Sequence, residues 1–247
     1  MTISIALPQL HNPWLDRLRT VHLGIGVRGA VGVGLARQRG GAKSWWLPTG
    51  ITAGNCLGAW RSIGVASYSG SLIDVNGTGK NLVEYGGIET PGWDSDGWIF
   101  NATQQRLRTN VDNSVAKSGF VRIRPYAYGG SPMGGNGGSG SYRWYFWVHS
   151  APIMSYGYGG FVNPSGLTLN IYYTLALSQR QAFMNGVYVG QTGSGTVSGC
   201  NIEIGHRAVN NNGTVYLPFN GRITHAALYS VALSDSQQAE LHSNASA

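Results

Sequence analysis

Short segments with strand character recur along this chain between turn-forming residues, and they constrain its fold more than any other feature. The clearest is FVRIRPYAY at residues 120–128, and the pattern recurs at residues 142–149 and 167–177. In the first segment, one face would hold Phe120, Arg122, Arg124, Tyr126 and Tyr128, and the other Val121, Ile123 and Ala127. A period of two is typical of a strand with one face in a core. Seven or more such segments predict two packed antiparallel sheets.

The composition supports this fold class. Only 11% of residues are charged, against roughly 25% in an average domain, and 38 of the 247 residues are glycine. A disordered chain is excluded because 42% of the residues are hydrophobic and 8 are Trp. The sequence has no run of 18 apolar residues, so we expect no membrane partner.

The positive charge of the chain is concentrated near its start. Residues 1–50 hold six of the 17 basic residues and one acid, Asp16. Within this stretch, the glycine-rich segment at residues 24–34 has too few side chains to form a core by itself. We assign residues 1–55 to an extended arm and residues 56–247 to the folded domain. We expect the arm to dock on other protein subunits through Arg17, Arg19, Arg28, Arg37, Arg39, Lys43, Trp45 and Trp46. Interleaved basic and aromatic residues also suit nucleic acid, but a solvated or subunit-contacting arm is favoured.

The end of the chain carries a helix signal. Ser234 can cap a helix with Gln237 as its reciprocal partner, and the apolar positions continue to Leu241. A helix of about two turns must dock on the sandwich to be stable.

The chain has two cysteines, Cys56 and Cys200. A secreted domain framed by disulfides usually has more. We expect two buried free thiols in preference to a bond between them.

Several motifs in the second half of the chain carry a family resemblance. They are RQAFMNGVYVG at residues 180–190, NIEIG at 201–205, and FNGRI at 219–223 followed by ALYSVALSDSQQAEL. Together with WDSDGWIFNATQQRLRT at residues 93–109, they resemble the laminin-G-like domains of the concanavalin A-like superfamily. The resemblance implies an all-β jelly-roll sandwich of two antiparallel sheets with a short C-terminal helix. The Asn185-Gly186 pair also predicts a tight hairpin by itself, because both residues accept positive φ.

Catalytic patterns are missing from the sequence. The glucanase branch of the superfamily carries closely spaced acids on one strand, and the corresponding segment here has Glu203 alone. A retaining glycosidase needs two carboxyl groups about 5–5.5 Å apart, and no nucleophile motif or metal-spaced histidine pair is present. We therefore expect a chain that is not an enzyme, and keep a glycoside hydrolase as the remaining alternative.

Related domains often bind Ca²⁺ through clustered acids. Asp94, Asp96 and Asn101 offer two or three oxygen ligands at one loop. A plain turn rich in Asp and Gly is the favoured explanation of these three residues, so we expect no metal or cofactor.

A binding surface is the remaining candidate site. Tyr and Trp number 13 and 8, and sandwich folds hold glycans with aromatic faces and with Asn and Arg hydrogen bonds. The candidate glycan-binding residues are Tyr126, Tyr128, Trp144, Trp147, Tyr156, Tyr158, Arg207, Asn210, Asn211 and Asn212. About two-thirds of these aromatics are expected to be core or interface residues.

The basic arm and the lack of a secretion signal favour an assembly protein. Similar domains occur in accessory proteins of bacteriophage virions, as capsid decorations, fibres or tail parts. We expect a homo-oligomeric virion protein, assembled in the host cytoplasm, that is anchored by its arm and displays a lectin-like domain. The alternative is a carbohydrate-binding lectin-like module that acts on cell-surface or extracellular glycans.

Overall fold

The computed structural model describes residues 44–84, 89–136, 143–149, 153–157, 162–164, 166–193, 199–209 and 215–247. In chain order the strands are β1 (Cys56–Arg61), β2 (Val83–Glu84), β3 (Gly92–Asp94), β4 (Gly97–Asn101), β5 (Leu107–Asp112), β6 (Ser118–Pro125), β7 (Met133–Asn136), β8 (Arg143–Trp147), β9 (Ile153–Gly157), β10 (Tyr173–Ser178), β11 (Gln181–Met184), β12 (Val187–Gln191), β13 (Asn201–Ile204), β14 (Arg207–Val209), β15 (Val215–Tyr216) and β16 (Asn220–Tyr229). A 3₁₀ helix (Ala53–Asn55), a short helix α1 (Tyr68–Ser71) and a C-terminal helix α2 (Asp235–Ser246) accompany them.

These strands form two main sheets, which confirms the predicted all-β sandwich. The first sheet has the order β12-β11-β10-β6-β16-β4-β3, and β1 also pairs with β16. The second has the order β15-β14-β7-β13-β5-β2, and β8 pairs with β9 in a hairpin. The strands pair antiparallel except for β14 and β7, which run parallel.

Strand β16 organises the first sheet. One of its edges pairs with β6 over nearly its whole length. Its other edge pairs first with β4, through residues 220–223, and then with β1, through residues 225–229. The register shifts between Ile223 and His225, at the point where one partner gives way to the next.

Two apolar clusters lie on opposite faces of the first sheet. The cluster between the sheets contains Val121 and Ile123 of β6, whereas Phe120 of the same strand belongs to the outer cluster. The alternation predicted for residues 120–124 is therefore confirmed. Trp45 and Trp46, assigned from the sequence to the arm, are buried in the outer cluster with Phe120 and residues of α2.

Trp144 is packed into the core through a glycine on the facing strand. Its ring is fully buried, and a Cβ atom at Gly119 of β6 would overlap it. Because glycine leaves that space open, the Trp144 ring of β8 fits between the sheets.

The C-terminal helix begins with the predicted capping box. The Ser234 hydroxyl accepts a hydrogen bond from the Gln237 backbone N–H, and the Gln237 side chain accepts one from the Ser234 N–H. The helix extends to Ser246, beyond the two turns expected. Leu241 and Ala245 dock it on the outer cluster.

The predicted Asn-Gly hairpin is also present. Asn185 and Gly186 join β11 to β12 with φ angles of 52° and 75°. Both are in the left-handed region that this tight turn requires.

Cys56 and Cys200 are buried free thiols. Burial raises the pKa of Cys56 to about 12. Within the described ranges, no helix has the length and apolarity needed to cross a membrane.

Candidate functional site

A row of arginine and tyrosine side chains lies on the outer face of the first sheet, beside the outer apolar cluster. We call it the arginine–tyrosine face and define it as Arg122, Arg124, Tyr126, Tyr172 and Arg222. Strand alternation places these arginines there, because Val121 and Ile123 on β6 and Ile223 on β16 point into the core. Each of the five side chains is partly exposed.

Cations and rings alternate along this row. The Arg122 guanidinium lies 4.4 Å from the centroid of the Tyr172 ring, and that of Arg124 lies 5.8 Å from the same centroid. Arg124 is also 5.9 Å from the Tyr126 ring, and the Tyr126 hydroxyl accepts a hydrogen bond of 2.7 Å from Arg222 Nε. Cation–π contacts of this kind contribute roughly 0.5–1 kcal/mol each at exposed sites and fix the orientation of the guanidinium.

Asp94 neutralises one end of the row. Its carboxylate pairs with both terminal nitrogens of Arg222, one of them at 2.6 Å. This bond lowers the pKa of Asp94 and raises that of Arg222. Asp94 was considered as a calcium ligand, and the structure assigns its oxygens to a guanidinium instead.

The other two arginines of the row have no carboxylate partner among the residues described. Arg124 Nε donates to the backbone carbonyl of Asn170 at 2.9 Å, and burial lowers the pKa of Arg122.

His225 lies between Arg122 and Arg61, its cross-strand partners on β6 and β1. Burial first, and then the charges of these two arginines, lower the pKa of His225 to about 3. His225 is therefore uncharged at neutral pH. His242 of α2 has a lowered pKa for the same two reasons, burial and the charge of Arg122.

A second charged group, the Glu203 cluster, lies on the second sheet and consists of Glu203, His206, Arg106 and Arg108. His206 Nε2 donates to the Glu203 carboxylate. Arg108 Nε lies 3.1 Å from one carboxylate oxygen, and Arg106 Nε lies 3.8 Å from the other. Glu203, His206 and Arg106 are buried, and the Arg108 side chain is 16% exposed.

The surroundings of Glu203 keep it ionised. Burial alone raises the pKa of Glu203, but the hydrogen bond and charge of His206 and the two arginines outweigh it, so the pKa lies below its usual value. The cluster joins β5 to β13 and to the turn before β14, and therefore ties together the middle of the second sheet. From the sequence, Glu203 is predicted to be an isolated strand residue; the network around it was not predicted.

The predicted glycan-binding residues fall in different places. Tyr126 belongs to the arginine–tyrosine face. Tyr128 is 45% exposed, and its ring neighbours His149, which also contacts Trp147. Trp144 is a fully buried core residue, so its ring has no face for a sugar.

Arg207 is also mostly buried. Its guanidinium lies 4.7 Å from the centroid of the Tyr145 ring. The Tyr156 side chain, Tyr158 and Asn210–Asn212 lie outside the described residues, as do the arm residues Arg17, Arg19, Arg28, Arg37, Arg39 and Lys43. For these, the predicted roles stay predictions.

Strand alternation predicts the shared face of Arg122 and Arg124, but neither is among the predicted site residues. Their Arg-x-Arg spacing on one strand was the available signal. Tyr172, the residue before β10, and Arg222 of β16 reach the same face, and nothing in the local sequence indicates that convergence.

No protein-family model and no curated protein matches this sequence. Among solved structures, Trypanosoma rangeli sialidase in complex with sialic acid aligns with a TM-score of 0.54 at 13% identity, over 78% of this chain and 33% of that one. Domain 4 of AbnA, an extracellular arabinanase from Geobacillus stearothermophilus, aligns with a TM-score of 0.48 at 15% identity, over 76% and 98% of the two chains. The chain thus spans about a third of the sialidase.

The likeness to the sialidase confirms the fold as a β-sandwich of the jelly-roll type. It gives no support to the narrower laminin-G or bacteriophage assignment. The expectation that the chain is not an enzyme is contradicted by this comparison, because the sandwich is shared with T. rangeli sialidases. That expectation rested on missing sequence motifs, and at 13–16% identity such motifs need not be preserved in a shared fold.

Proposed function

We propose that this chain is a carbohydrate-binding domain that holds glycans on the arginine–tyrosine face. The observation that carries the proposal is the row of alternating guanidinium groups and aromatic rings on one partly exposed sheet surface. It combines the two features that sugar binding uses, apolar ring surface and fixed hydrogen-bond donors.

The arginines of this face suit sugar recognition because they are held in place before a ligand arrives. Tyr172 contacts the guanidiniums of Arg122 and Arg124. A stacked guanidinium keeps its in-plane N–H groups free to donate to hydroxyl or carboxylate oxygens. Less side-chain entropy is then lost on binding.

The fold comparison is consistent with this class of ligand. The T. rangeli sialidase that shares the sandwich over a third of its length binds sialic acid. A likeness at 13% identity concerns the fold alone, so the residues of this chain carry the proposed glycan binding.

Attachment to a larger particle stays a prediction. It depends on residues 1–43, which lie outside the described residues. A glycan-binding domain and an anchoring arm are compatible in one chain.

The proposal is tested by screening the full chain on an array of neutral and acidic glycans and measuring affinity for the best ligand by calorimetry. Tyr172→Leu removes the ring that two guanidiniums share, and we expect about a fivefold to tenfold loss of affinity from about 1 kcal/mol of contact. Tyr188→Leu is the matched control, because Tyr188 is 45% exposed on β12 and is not one of the five residues of this face; its ring contacts Phe183.

Two results would overturn the proposal. One is a chain that binds no glycan. The other is a Tyr172→Leu variant that is folded by circular dichroism and binds as tightly as the Tyr188→Leu control.

A further inference from the structure

The charges on the arginine–tyrosine face do not balance. Arg222 is paired with Asp94, but Arg122, Arg124 and the neighbouring Arg61 have no carboxylate partner within the described ranges. Arg61 and Arg122 flank His225 from β1 and β6, and both charges lower the pKa of His225. Three cations on one patch of the sheet therefore lack a carboxylate counter-ion among the residues that the structure describes.

Arg122 is the most consequential of the three. It is partly buried, and its charge also acts on the pKa of His225 and of His242. A cation removed from water without a partner is unfavourable, and an anion placed beside it restores the balance. The imidazole of His225 cannot supply that anion.

The geometry favours a compact planar or tetrahedral anion. Guanidinium groups bind carboxylate and sulfate oxygens through paired N–H donors, whereas a hydroxyl needs only one donor. Arg122 and Arg124 contact the same Tyr172 ring, so the N–H donors of both guanidiniums lie in one small region of the surface.

The distribution of charge disfavours a nucleic acid. Residues 51–247 hold eleven of the 17 basic and nine of the ten acidic residues, a net charge of +2. A phosphate backbone needs a broad basic stripe, because each strand carries one charge about every 3.4 Å. On this face the arginines without a carboxylate partner among the described residues are three, and they form a small patch instead of a stripe.

We infer that the arginine–tyrosine face binds an acidic saccharide, one bearing carboxylate or sulfate groups, with Arg122 and Arg124 holding the charged group. This inference rests on the proposed function and narrows it to a class of glycan. Tyr172 and Tyr126 orient the guanidiniums. At one end of the row, Asp94 neutralises the charge of Arg222.

The test uses the full chain and three probes: a galacturonic acid tetrasaccharide, sialyllactose and a heparin-derived tetrasaccharide. Each is compared with its uncharged counterpart, namely the carboxyl-reduced tetrasaccharide, lactose and a desulfated, carboxyl-reduced tetrasaccharide. We expect at least one acidic probe to bind at least tenfold more tightly than its counterpart, with an affinity that falls as salt is raised.

Variants of the two arginines test whether the acidic probe binds at this face. Arg122→Gln and Arg124→Gln should each weaken the acidic probe about tenfold or more and leave the neutral counterpart within about twofold, since a charge-assisted hydrogen bond contributes about 1.5–3 kcal/mol. Arg180→Gln is the matched control, because Arg180 is an exposed arginine in the turn between β10 and β11. Thermal unfolding identifies any variant that fails to fold, and the two substitutions provide independent tests.

Three outcomes oppose the inference, and they are distinguishable. If neutral glycans bind as tightly as acidic ones, the inference fails and the proposed function stands. If neither neutral nor acidic saccharides bind, the proposed function fails as well. If single-stranded DNA binds more tightly than every acidic saccharide and Arg122→Gln and Arg124→Gln weaken that binding, the face is a nucleic-acid site and both are wrong.

Discussion

Replacing Glu203 with Gln tests the buried Glu203 cluster directly. The substitution preserves the size of the side chain and removes its charge, leaving His206 and Arg106 buried without their shared anion. Removing one partner from a buried ion pair typically costs about 3–5 kcal/mol. With a urea m-value of about 3 kcal/mol/M for a domain of this size, the midpoint should fall by about 1–1.7 M.

The pH dependence gives the same experiment a second readout. The folded-state pKa of Glu203 is lowered, so its contribution to stability is fully present above the unfolded Glu value of about 4.3. That contribution is lost as the pH falls through the folded-state pKa, because protonation removes the charge that the folded protein favours. In Glu203→Gln this part of the acid destabilisation should be missing.

The assay is urea unfolding followed by tryptophan fluorescence at pH 7 and at several lower pH values. Asp96→Asn is the control, since it neutralises an exposed carboxylate and should change stability by less than about 0.5 kcal/mol. The reasoning is refuted if Glu203→Gln and Asp96→Asn have the same midpoint at pH 7. It is refuted equally if the Gln variant loses stability with acid as steeply as the parent.

Two further substitutions test the packing that positions these surfaces. Gly134→Ala should destabilise the domain by about 1–3 kcal/mol in urea unfolding, because the added Cβ would lie 3.0 Å from the Cα atom of Tyr145 and nearer still to its Cβ. Tyr229→Phe should cost about 1–2 kcal/mol in the same assay, because the buried hydroxyl donates to the Trp46 carbonyl at 2.6 Å; a loss below about 0.3 kcal/mol would contradict that anchoring.

Matched controls make the same type of substitution at positions that lack the contact being tested. Gly54→Ala places its Cβ no nearer than 3.9 Å to a neighbour and should be close to neutral. Tyr188→Phe removes the hydroxyl of a tyrosine that is 45% exposed. If Gly134→Ala is no more destabilising than Gly54→Ala, β8 does not pack on β7 as described.

The two charged groups differ in how their charges are balanced. In the Glu203 cluster a carboxylate holds the cations together, so removing that anion should destabilise the fold. On the arginine–tyrosine face, Arg122 and Arg124 have no carboxylate of their own, so removing one of them should affect binding more than folding. Stability and affinity measurements on the same set of variants therefore distinguish structural charge from binding charge.

Local sequence determined the elements of this protein because their signals act over a few residues. The alternation at residues 120–124 selected the core and outer faces of β6, since successive side chains of a strand point in opposite directions. Asn185-Gly186 specified a hairpin through its positive φ angles, and Ser234 with Gln237 specified the start of α2.

Tertiary structure alone decided which of these elements meet. A period of two shows that Trp144 and Tyr145 face opposite ways, but Gly119 on a distant strand decides that Trp144 fits the core. Likewise, Arg222 meets Asp94 across 128 residues of sequence. Cross-strand neighbours depend on sheet order and register, which the local pattern does not encode, so the sequence predicted the sandwich while the row of arginines and tyrosines emerged only from its folded sheet.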